Sequence, residues 1–175
     1  MQSNQIKKHT DSDKRVKSYQ ADSDKKVKSY QSAIRYLAPR ARSVHEIRQY
    51  LAKKGFDEEV IETTIEKLEQ DNLLNDHEFA SMFVEQRERF KPKSKFALAF
   101  ELKKKGVEAD IIESCVMDID ENESAFSAVQ PKMKLWQGYD DERLKKKVMN
   151  YLRNRGFSYE VCISTFNRLL SDNCV

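Results

Sequence analysis

The stretch Leu51-Ala52-Lys53-Lys54-Gly55-Phe56 decides the fold, because the chain carries two further copies of its pattern. The copies are Leu102-Lys103-Lys104-Lys105-Gly106-Val107 and Leu152-Arg153-Asn154-Arg155-Gly156-Phe157. In each, a leucine stands four positions before a glycine, basic residues lie between them, and an apolar residue follows. This pattern is typical of a helix that ends in a Schellman turn, where glycine adopts the left-handed conformation without a steric penalty from a Cβ atom. Gly55, Gly106 and Gly156 are therefore predicted to be structural turns.

An amphipathic helix is predicted after each of these turns. Counting from each glycine, apolar residues recur at about positions 1, 5, 9 and 13, which keeps them on one face of a helix. The glycines are 51 and 50 residues apart, and repetition at such a period indicates copies of one helical unit packed side by side. The predicted fold class is all-α, with nine helices in three tandem three-helix repeats at residues 23–73, 74–120 and 121–175.

The N-terminal region contains a duplicated segment. Residues 12–20 (SDKRVKSYQ) recur as residues 23–31 (SDKKVKSYQ) with a period of 11 residues. Each copy offers one valine and one tyrosine as apolar anchors, which are too few to fold alone. Only the second copy runs on into apolar residues with helical spacing, so it is predicted to begin the first helix. Residues 1–22 are predicted to be a basic tail, either disordered or a frayed extension of that helix.

Several helix starts are marked by residues that cap helices. Ser43 and Glu46 have the spacing of a capping box, with serine at the N-cap and glutamate at the third helical position. Asp57 and Asp76 are expected to cap the next two helices with their carboxylates. Together with the glycine turns, these residues predict where the helices of the first repeat begin and end.

Charge is distributed in alternating blocks along the chain. The formal net charge is +3, but residues 1–30 sum to +4, 31–80 to −3, 81–110 to +3, 111–142 to −6 and 143–175 to +5. Such blocks indicate separate basic surfaces and not a uniformly basic protein. No apolar run approaches the length needed to cross a bilayer, so no membrane association is predicted.

The three cysteines indicate a reducing compartment. Cys115, Cys162 and Cys174 are an odd set without Cys-x-x-Cys spacing, and two of them fall on predicted core faces. They are interpreted as small buried hydrophobic residues and not as disulfide partners or metal ligands. A cytoplasmic location is predicted.

No pattern in the sequence indicates catalysis. Glycine is too scarce for a phosphate-binding loop, and His9, His45 and His77 stand apart from any ligand or triad partner. The acidic pairs of the chain lie at predicted helix starts, where they complement the helix dipole. No enzymatic activity, cofactor or metal site is predicted.

Basic residues crowd the ends of the helices that precede the glycine turns and the segment around Pro92. Cations near a helix C-terminus are favoured by the dipole, but this does not account for two runs of three lysines. Aromatic residues interleave the basic segment around Pro92, which makes base stacking conceivable. Lysines act on phosphates mainly as point charges, so sequence-independent polyanion contact is predicted. The candidates are Lys53, Lys54, Arg87, Arg89, Lys91, Lys93, Lys95, Lys103, Lys104, Lys105, Lys145, Lys146, Lys147, Arg153 and Arg155.

Several segments together resemble a known family. They are residues 33–43 (AIRYLAPRARS), 54–56 (KGF), 73–76 (LLND), 79–80 (FA) and 101–107 (ELKKKGV). The combination resembles the RecX family, bacterial regulators of the RecA recombinase. The resemblance covers about residues 30–170.

The resemblance implies a non-enzymatic protein whose repeats form an elongated, curved modular array. Such proteins lie in the groove of the RecA–DNA filament and modulate, usually inhibit, RecA activity in homologous recombination, DNA repair and the SOS response. The implied partners of a cytoplasmic monomer are the RecA filament and single- and double-stranded DNA of any sequence. Arg40, Arg42 and Arg48 join the candidate contact residues on this basis.

Two other classes of protein are compatible with the same pattern. Residues 43–68 could form a helix-turn-helix of a transcription regulator, which would prefer a defined operator to random DNA. A helical-repeat scaffold for protein interaction would instead bind its partner through an apolar groove and ignore DNA at any salt concentration.

Overall fold

The computed structural model describes residues 22–172, which form nine α-helices and one short 3-10 helix without any strand in that range. The helices are α1 (22–37), α2 (Val44–Lys53), α3 (Glu58–Gln70), α4 (Asp76–Phe90), α5 (Lys95–Lys104), α6 (Ala109–Val116), α7 (Glu121–Met133), the 3-10 helix (Lys134–Trp136), α8 (Asp141–Arg153) and α9 (Tyr159–Asp172). Residues 1–21, with the first copy of the duplication, and Cys174 lie outside the described residues.

All three glycine turns close as predicted. At the end of α2, the Phe56 N–H donates to the Leu51 carbonyl at 3.3 Å and the Gly55 N–H donates to the Ala52 carbonyl at 3.0 Å. This pair of bonds defines a Schellman motif, and it recurs at the ends of α5 and α8. The three glycines have φ angles of 83°, 76° and 86°, so each adopts the left-handed conformation.

A fourth turn of the same kind ends α3, where asparagine replaces glycine. Asn72 has a φ angle of 55°. Its N–H donates to the Glu69 carbonyl at 2.9 Å, and the Leu73 N–H donates to the Leu68 carbonyl at 2.9 Å. Asparagine is the residue after glycine that most readily adopts the left-handed conformation. Leu68 precedes Asn72 by the same spacing that separates the leucine from the glycine in the other turns. The leucine spacing therefore indicates this turn even without a glycine.

The predicted helix caps are partly observed. In the capping box of α2, Ser43 Oγ accepts from the Glu46 N–H at 3.2 Å, and the Glu46 carboxylate accepts from the Ser43 N–H at 3.3 Å. Asp57 occupies the N-cap of α3 but makes no capping bond, and its carboxylate instead pairs with Lys25 Nζ at 3.1 Å. The prediction for Asp76 is wrong in detail, since Asp76 is the first residue of α4 and not the residue before it. Its charge still lies at the positive end of the helix dipole.

Each triplet of helices buries an apolar cluster of its own. The clusters lie within α1–α3, α4–α6 and α7–α9, and each includes the buried leucine of its turn, namely Leu51, Leu102 or Leu152. The first triplet forms one compact unit that ends at Asn75, and the second and third triplets form another that begins at Asp76. The all-α fold with three three-helix repeats is confirmed.

The second and third repeats are joined by polar contacts at the start of α5. The Ser94 N–H donates to the Arg155 carbonyl at 3.1 Å, and the Lys95 N–H donates to the Glu121 carboxylate at 2.8 Å. Gly156 lies against the same segment: a Cβ atom there would stand 2.6 Å from Ser94 Oγ and 2.9 Å from the Ala97 Cβ. The third turn therefore sits in a close contact between repeats.

In the first repeat, the second copy of the duplication anchors α1 to its neighbour α3. Lys25 pairs with Asp57, as described above. The buried Ser29 accepts a hydrogen bond from Thr64 Oγ1 at 2.9 Å. Tyr30 donates its hydroxyl proton to Asp71 at 2.6 Å. This bond raises the pKa of Tyr30. The second copy thus carries three polar anchors besides its apolar residues.

Candidate functional site

Two candidate arginines of the first repeat share one carboxylate. Arg40 Nη2 lies 2.7 Å from Glu46 Oε1, and the hydrogen bond to Glu46 raises the pKa of Arg40. Arg42 lies 3.9 Å from the same oxygen, and its guanidinium stands over the Tyr36 ring at 3.9 Å from the centroid. Glu46 is itself held by the capping box. Both guanidinium groups are therefore engaged in contacts within the repeat.

The third arginine of that repeat, Arg48, bridges α2 and α3. It pairs with Glu58 at 2.7 Å and also with Glu62. Two carboxylates against one guanidinium leave this patch with a net negative charge. Ion pairs of this kind, about one third exposed or more, contribute modestly to stability, typically about 0.2–1 kcal/mol. Their larger consequence is that Arg48 offers little free charge to a polyanion.

In the second repeat, the segment around Pro92 is also partly neutralised. Arg87 and Lys93 both pair with Glu101. Burial would raise the pKa of Glu101, but the hydrogen bonds from Lys93 and Arg87 outweigh it and lower that pKa below its ordinary value. Lys95 Nζ donates to the Met117 carbonyl. Three of the five candidates in this segment therefore stabilise the repeat through local contacts.

A further group of candidates lies over aromatic rings. Such cation–π contacts hold the side chain in place through the ring and place no carboxylate beside it. The pairs, with distances from the cation to the ring centroid, are Lys54 on Tyr50 (5.6 Å), Arg89 on Phe90 (5.1 Å), Lys104 on Phe100 (4.4 Å), Lys105 on Phe79 and Phe83 (5.7 Å each), Lys145 on Phe166 (6.0 Å) and Arg155 on Tyr151 (3.9 Å).

The last group has no ion pair, hydrogen bond or ring contact through its side chains within residues 22–172. All of its members are exposed to solvent. They are Lys53, Lys91, Lys103, Lys146, Lys147 and Arg153. Three of these six belong to α8, which makes α8 the helix with the most unneutralised cations among the candidates. These side chains can contact phosphates without first breaking an internal pair.

The sequence of α8 explains this arrangement. Its buried side chains recur every four residues, at Leu144, Val148 and Leu152, and this spacing turns one face of the helix toward the core. The three consecutive lysines 145–147 fall between two of these positions and are exposed. The acidic residues of α8 lie in its first turn, where they complement the dipole. The middle and end of the helix are left basic.

One exposed residue beside the candidates, Phe100, is not among the residues predicted from the sequence. Phe100 is 52% exposed on α5, one helical turn after Phe96, which is 77% exposed. The signal was present in the spacing, because Leu98 and Leu102 are buried, and residues two positions away from them along a helix lie on the opposite side.

The histidines and cysteines of the described chain have ordinary surroundings. His45 Nε2 shares a hydrogen bond with Gln49 at 2.9 Å. Cys162 is buried, which raises the pKa of its thiol, and Cys115 is half-buried and also free. Within residues 22–172, no group of three or more histidine, cysteine or carboxylate side chains is arranged to hold a metal ion. None of the described helices combines the length and apolarity needed to span a membrane.

The fold and the exposed cations define a helical-repeat protein with separate basic surfaces. The chain belongs to the RecX family. Residues 30–68, 75–115 and 119–164 match the first, second and third three-helix domains of RecX, in that order. The resemblance stated from the sequence is thereby confirmed.

Relatives from several bacteria match most of the chain. The regulatory protein RecX of Prosthecochloris aestuarii is 39% identical over 140 residues, which are 80% of this chain and 92% of that protein. The regulatory protein RecX of Clostridium perfringens (strain 13 / Type A) is 33% identical over 146 residues, covering 81% and 68% respectively. This chain is therefore a member of a family of regulatory proteins.

Solved structures support the fold. The crystal structure of RecX from Lactobacillus salivarius matches with a TM-score of 0.72 at 23% identity and covers 84% of this chain and 97% of that one. A second crystal structure, of a regulatory protein RecX, matches with a TM-score of 0.70, covering 85% and 74%. At this level of identity, the likeness concerns the arrangement of helices.

Proposed function

We propose that this protein binds the RecA–DNA filament and inhibits the recombinase and ATPase activities of RecA in recombination and DNA repair. It would do so without catalysis of its own, as a monomer in the cytoplasm. The observation that carries the proposal is the match of all three RecX domains in order along the chain. The names of the relatives describe regulation, and a recombinase filament is the partner expected for a protein of this family.

The exposed cations support contact with the nucleic acid of such a filament. Lys146, Lys147 and Arg153 of α8 have no acidic partner in the described part of the chain. Lysines bind phosphates mainly as point charges, and contacts to phosphates carry no sequence information. The resulting affinity should be independent of sequence and should fall steeply with salt, because each phosphate contact releases condensed counterions.

The paired arginines of the first repeat have a different part in this proposal. Arg40, Arg42 and Arg48 would have to exchange their internal carboxylates for phosphates, and the gain would be reduced by the lost pairs. We therefore assign the main nucleic-acid contact to helix α8 of the third repeat.

The test is RecA-promoted strand exchange with and without this protein at substoichiometric ratios to RecA. We expect inhibition of strand exchange and of DNA-dependent ATP hydrolysis at the same ratios, because both require an intact filament. No effect at any ratio would remove the proposed function. A preference for one duplex sequence over random duplex in a competition assay would indicate the helix-turn-helix regulator instead.

A further inference from the structure

Helix α5 presents an aromatic face that its own repeat does not bury. Phe96 and Phe100 are 77% and 52% exposed and lie one helical turn apart. Lys103 and Lys104 follow at the next turn of the same face, with Lys104 Nζ 4.4 Å from the Phe100 ring centroid. We call Phe96, Phe100, Lys103 and Lys104 the α5 face. It combines two large apolar side chains with two exposed cations.

The fold does not require aromatic residues on this face. Leu98 and Leu102, which are 0% exposed, make the core contacts of α5. The other two repeats are internal controls. Phe96 and Phe100 stand ten and six residues before the turn glycine, and the equivalent positions of the first repeat are His45 and Gln49. In the third repeat they are Lys146 and Asn150. Three copies of the same fold thus form, and only the second has aromatic residues at these two positions, so the fold of a repeat does not account for them.

The shape of the α5 face favours a protein partner over a nucleic acid. Aromatic side chains at positions i and i+4 of an exposed helix are the anchors by which a helix enters an apolar groove. Base stacking on aromatic rings requires a positively charged groove that follows the phosphate backbone. On α5 such a track is incomplete, because Lys93 pairs with Glu101 and Lys95 binds the Met117 carbonyl. The free cations are confined to the C-terminal end of the helix.

We propose that the α5 face docks into an apolar groove on a protein partner whose edge carries carboxylates opposite Lys103 and Lys104. This inference rests on the proposed function, in which the partner is the protein subunit of the recombinase filament. Exposed aromatic anchors dominate the binding energy of such contacts, and surrounding charges set orientation. The second repeat therefore recognises protein, while the basic face of α8 contacts phosphates.

The experiment compares binding of wild type and of the double variant Phe96→Gln, Phe100→Gln to two probes. One probe is a RecA filament assembled on a fluorescent oligonucleotide with a non-hydrolysable ATP analogue, and the other is the bare oligonucleotide. Tyr159→Gln is the matched control, because Tyr159 is a 67% exposed aromatic residue on α9. Circular dichroism checks that all variants keep their helices, as expected for exposed positions.

We expect the double variant to bind the filament at least about tenfold more weakly and the bare oligonucleotide within about twofold of wild type. The Tyr159 control should change neither. Equal losses on both probes would overturn the inference in favour of base stacking, and unchanged filament binding would overturn it outright. If the double variant loses only self-association, as measured by sedimentation, then the α5 face binds a second copy of this chain and the inference fails. A wild-type protein that ignores the filament would instead remove the proposed function itself.

Discussion

The first and third repeats use the same turn in different surroundings. Gly55 and Gly156 have nearly equal φ angles of 83° and 86°, and both close a Schellman motif. A Cβ atom on Gly55 would meet nothing within 4 Å, whereas on Gly156 it would meet Ser94 and Ala97 of the second repeat. The first glycine is needed for its backbone conformation alone. The third is needed also because another repeat occupies the space.

The basic side chains of the same two repeats also differ in what surrounds them. Arg48 of the first repeat is held between Glu58 and Glu62, while Lys146 and Lys147 of the third are exposed and unpaired in the described chain. The local sequence that builds a repeat therefore leaves its surface free to vary. One copy uses its basic residues for internal pairing, and another presents them to solvent.

The largest effect is expected from alanine at the turn glycines. Gly55→Ala should reduce the free energy of unfolding by about 1–2 kcal/mol, the cost of placing a Cβ atom in the left-handed region. Gly156→Ala should cost roughly 2–5 kcal/mol, because overpacking adds about 1–3 kcal/mol. Urea unfolding followed by circular dichroism measures both. The fluorescence of Trp136, the single tryptophan, reports on the third repeat, where its ring lies 5.7 Å from the Tyr151 ring. Equal losses at both sites would contradict the comparison.

A smaller effect is expected when cations are neutralised. The triple variant Lys146→Gln, Lys147→Gln, Arg153→Gln should weaken binding to random duplex by about tenfold at low salt. It should also make the dependence of log K on log salt shallower by about 2 to 3. The matched control is the triple variant Arg40→Gln, Arg42→Gln, Arg48→Gln, which removes the same number of charges. It should change affinity by less than about threefold, since those arginines are paired. Fluorescence anisotropy at several salt concentrations measures both, and a larger loss in the control would reverse the assignment.

The smallest effect is expected from deletion of residues 21–31. The first copy of the duplication would then lead directly into Ser32 and supply Lys14, Ser18 and Tyr19 in place of the anchors Lys25, Ser29 and Tyr30. Over the eleven residues exchanged, the two differences are threonine for alanine at the first position and arginine for lysine at the sixth. We expect the free energy of unfolding to change by less than about 0.5 kcal/mol, as for surface substitutions.

The control for this deletion is the same protein with Tyr19→Phe, which removes the hydroxyl that would bind Asp71. It should lower stability by about as much as Tyr30→Phe does in the full chain, because both variants remove the same hydrogen bond. A deletion that unfolds the first repeat would mean that the two copies are not equivalent.

Sequence patterns of short range predicted most of the fold. The capping box of Ser43 and the Schellman turns at the glycines depend on residues at most five positions apart, so each can be recognised without knowledge of the fold. The same kind of pattern failed where chemistry varied at constant spacing, as at Asn72. It also failed for Asp57, which makes no capping bond and pairs with a lysine that lies 32 positions earlier.

The candidate site was predicted as a set of residue types and not as a surface. Arg48 and Lys147 carry the same charge in the sequence, and only the packing of α2 against α3 separates the paired cation from the free one. The exposure of Phe100 likewise requires knowledge of which side of α5 faces the core. The assignment of individual residues to filament or DNA contact stays a prediction.

The sequence by itself determined three copies of a three-helix unit, because turns and caps act between neighbours and apolar spacing selects the buried face of each helix. The tertiary structure alone decided which cations are free, which glycine is pressed between repeats and which phenylalanines stay in water. Those outcomes depend on contacts between residues far apart in the chain, such as Arg48 with Glu62 or Gly156 with Ser94. No local pattern encodes such contacts, because their energies arise only when the helices have packed.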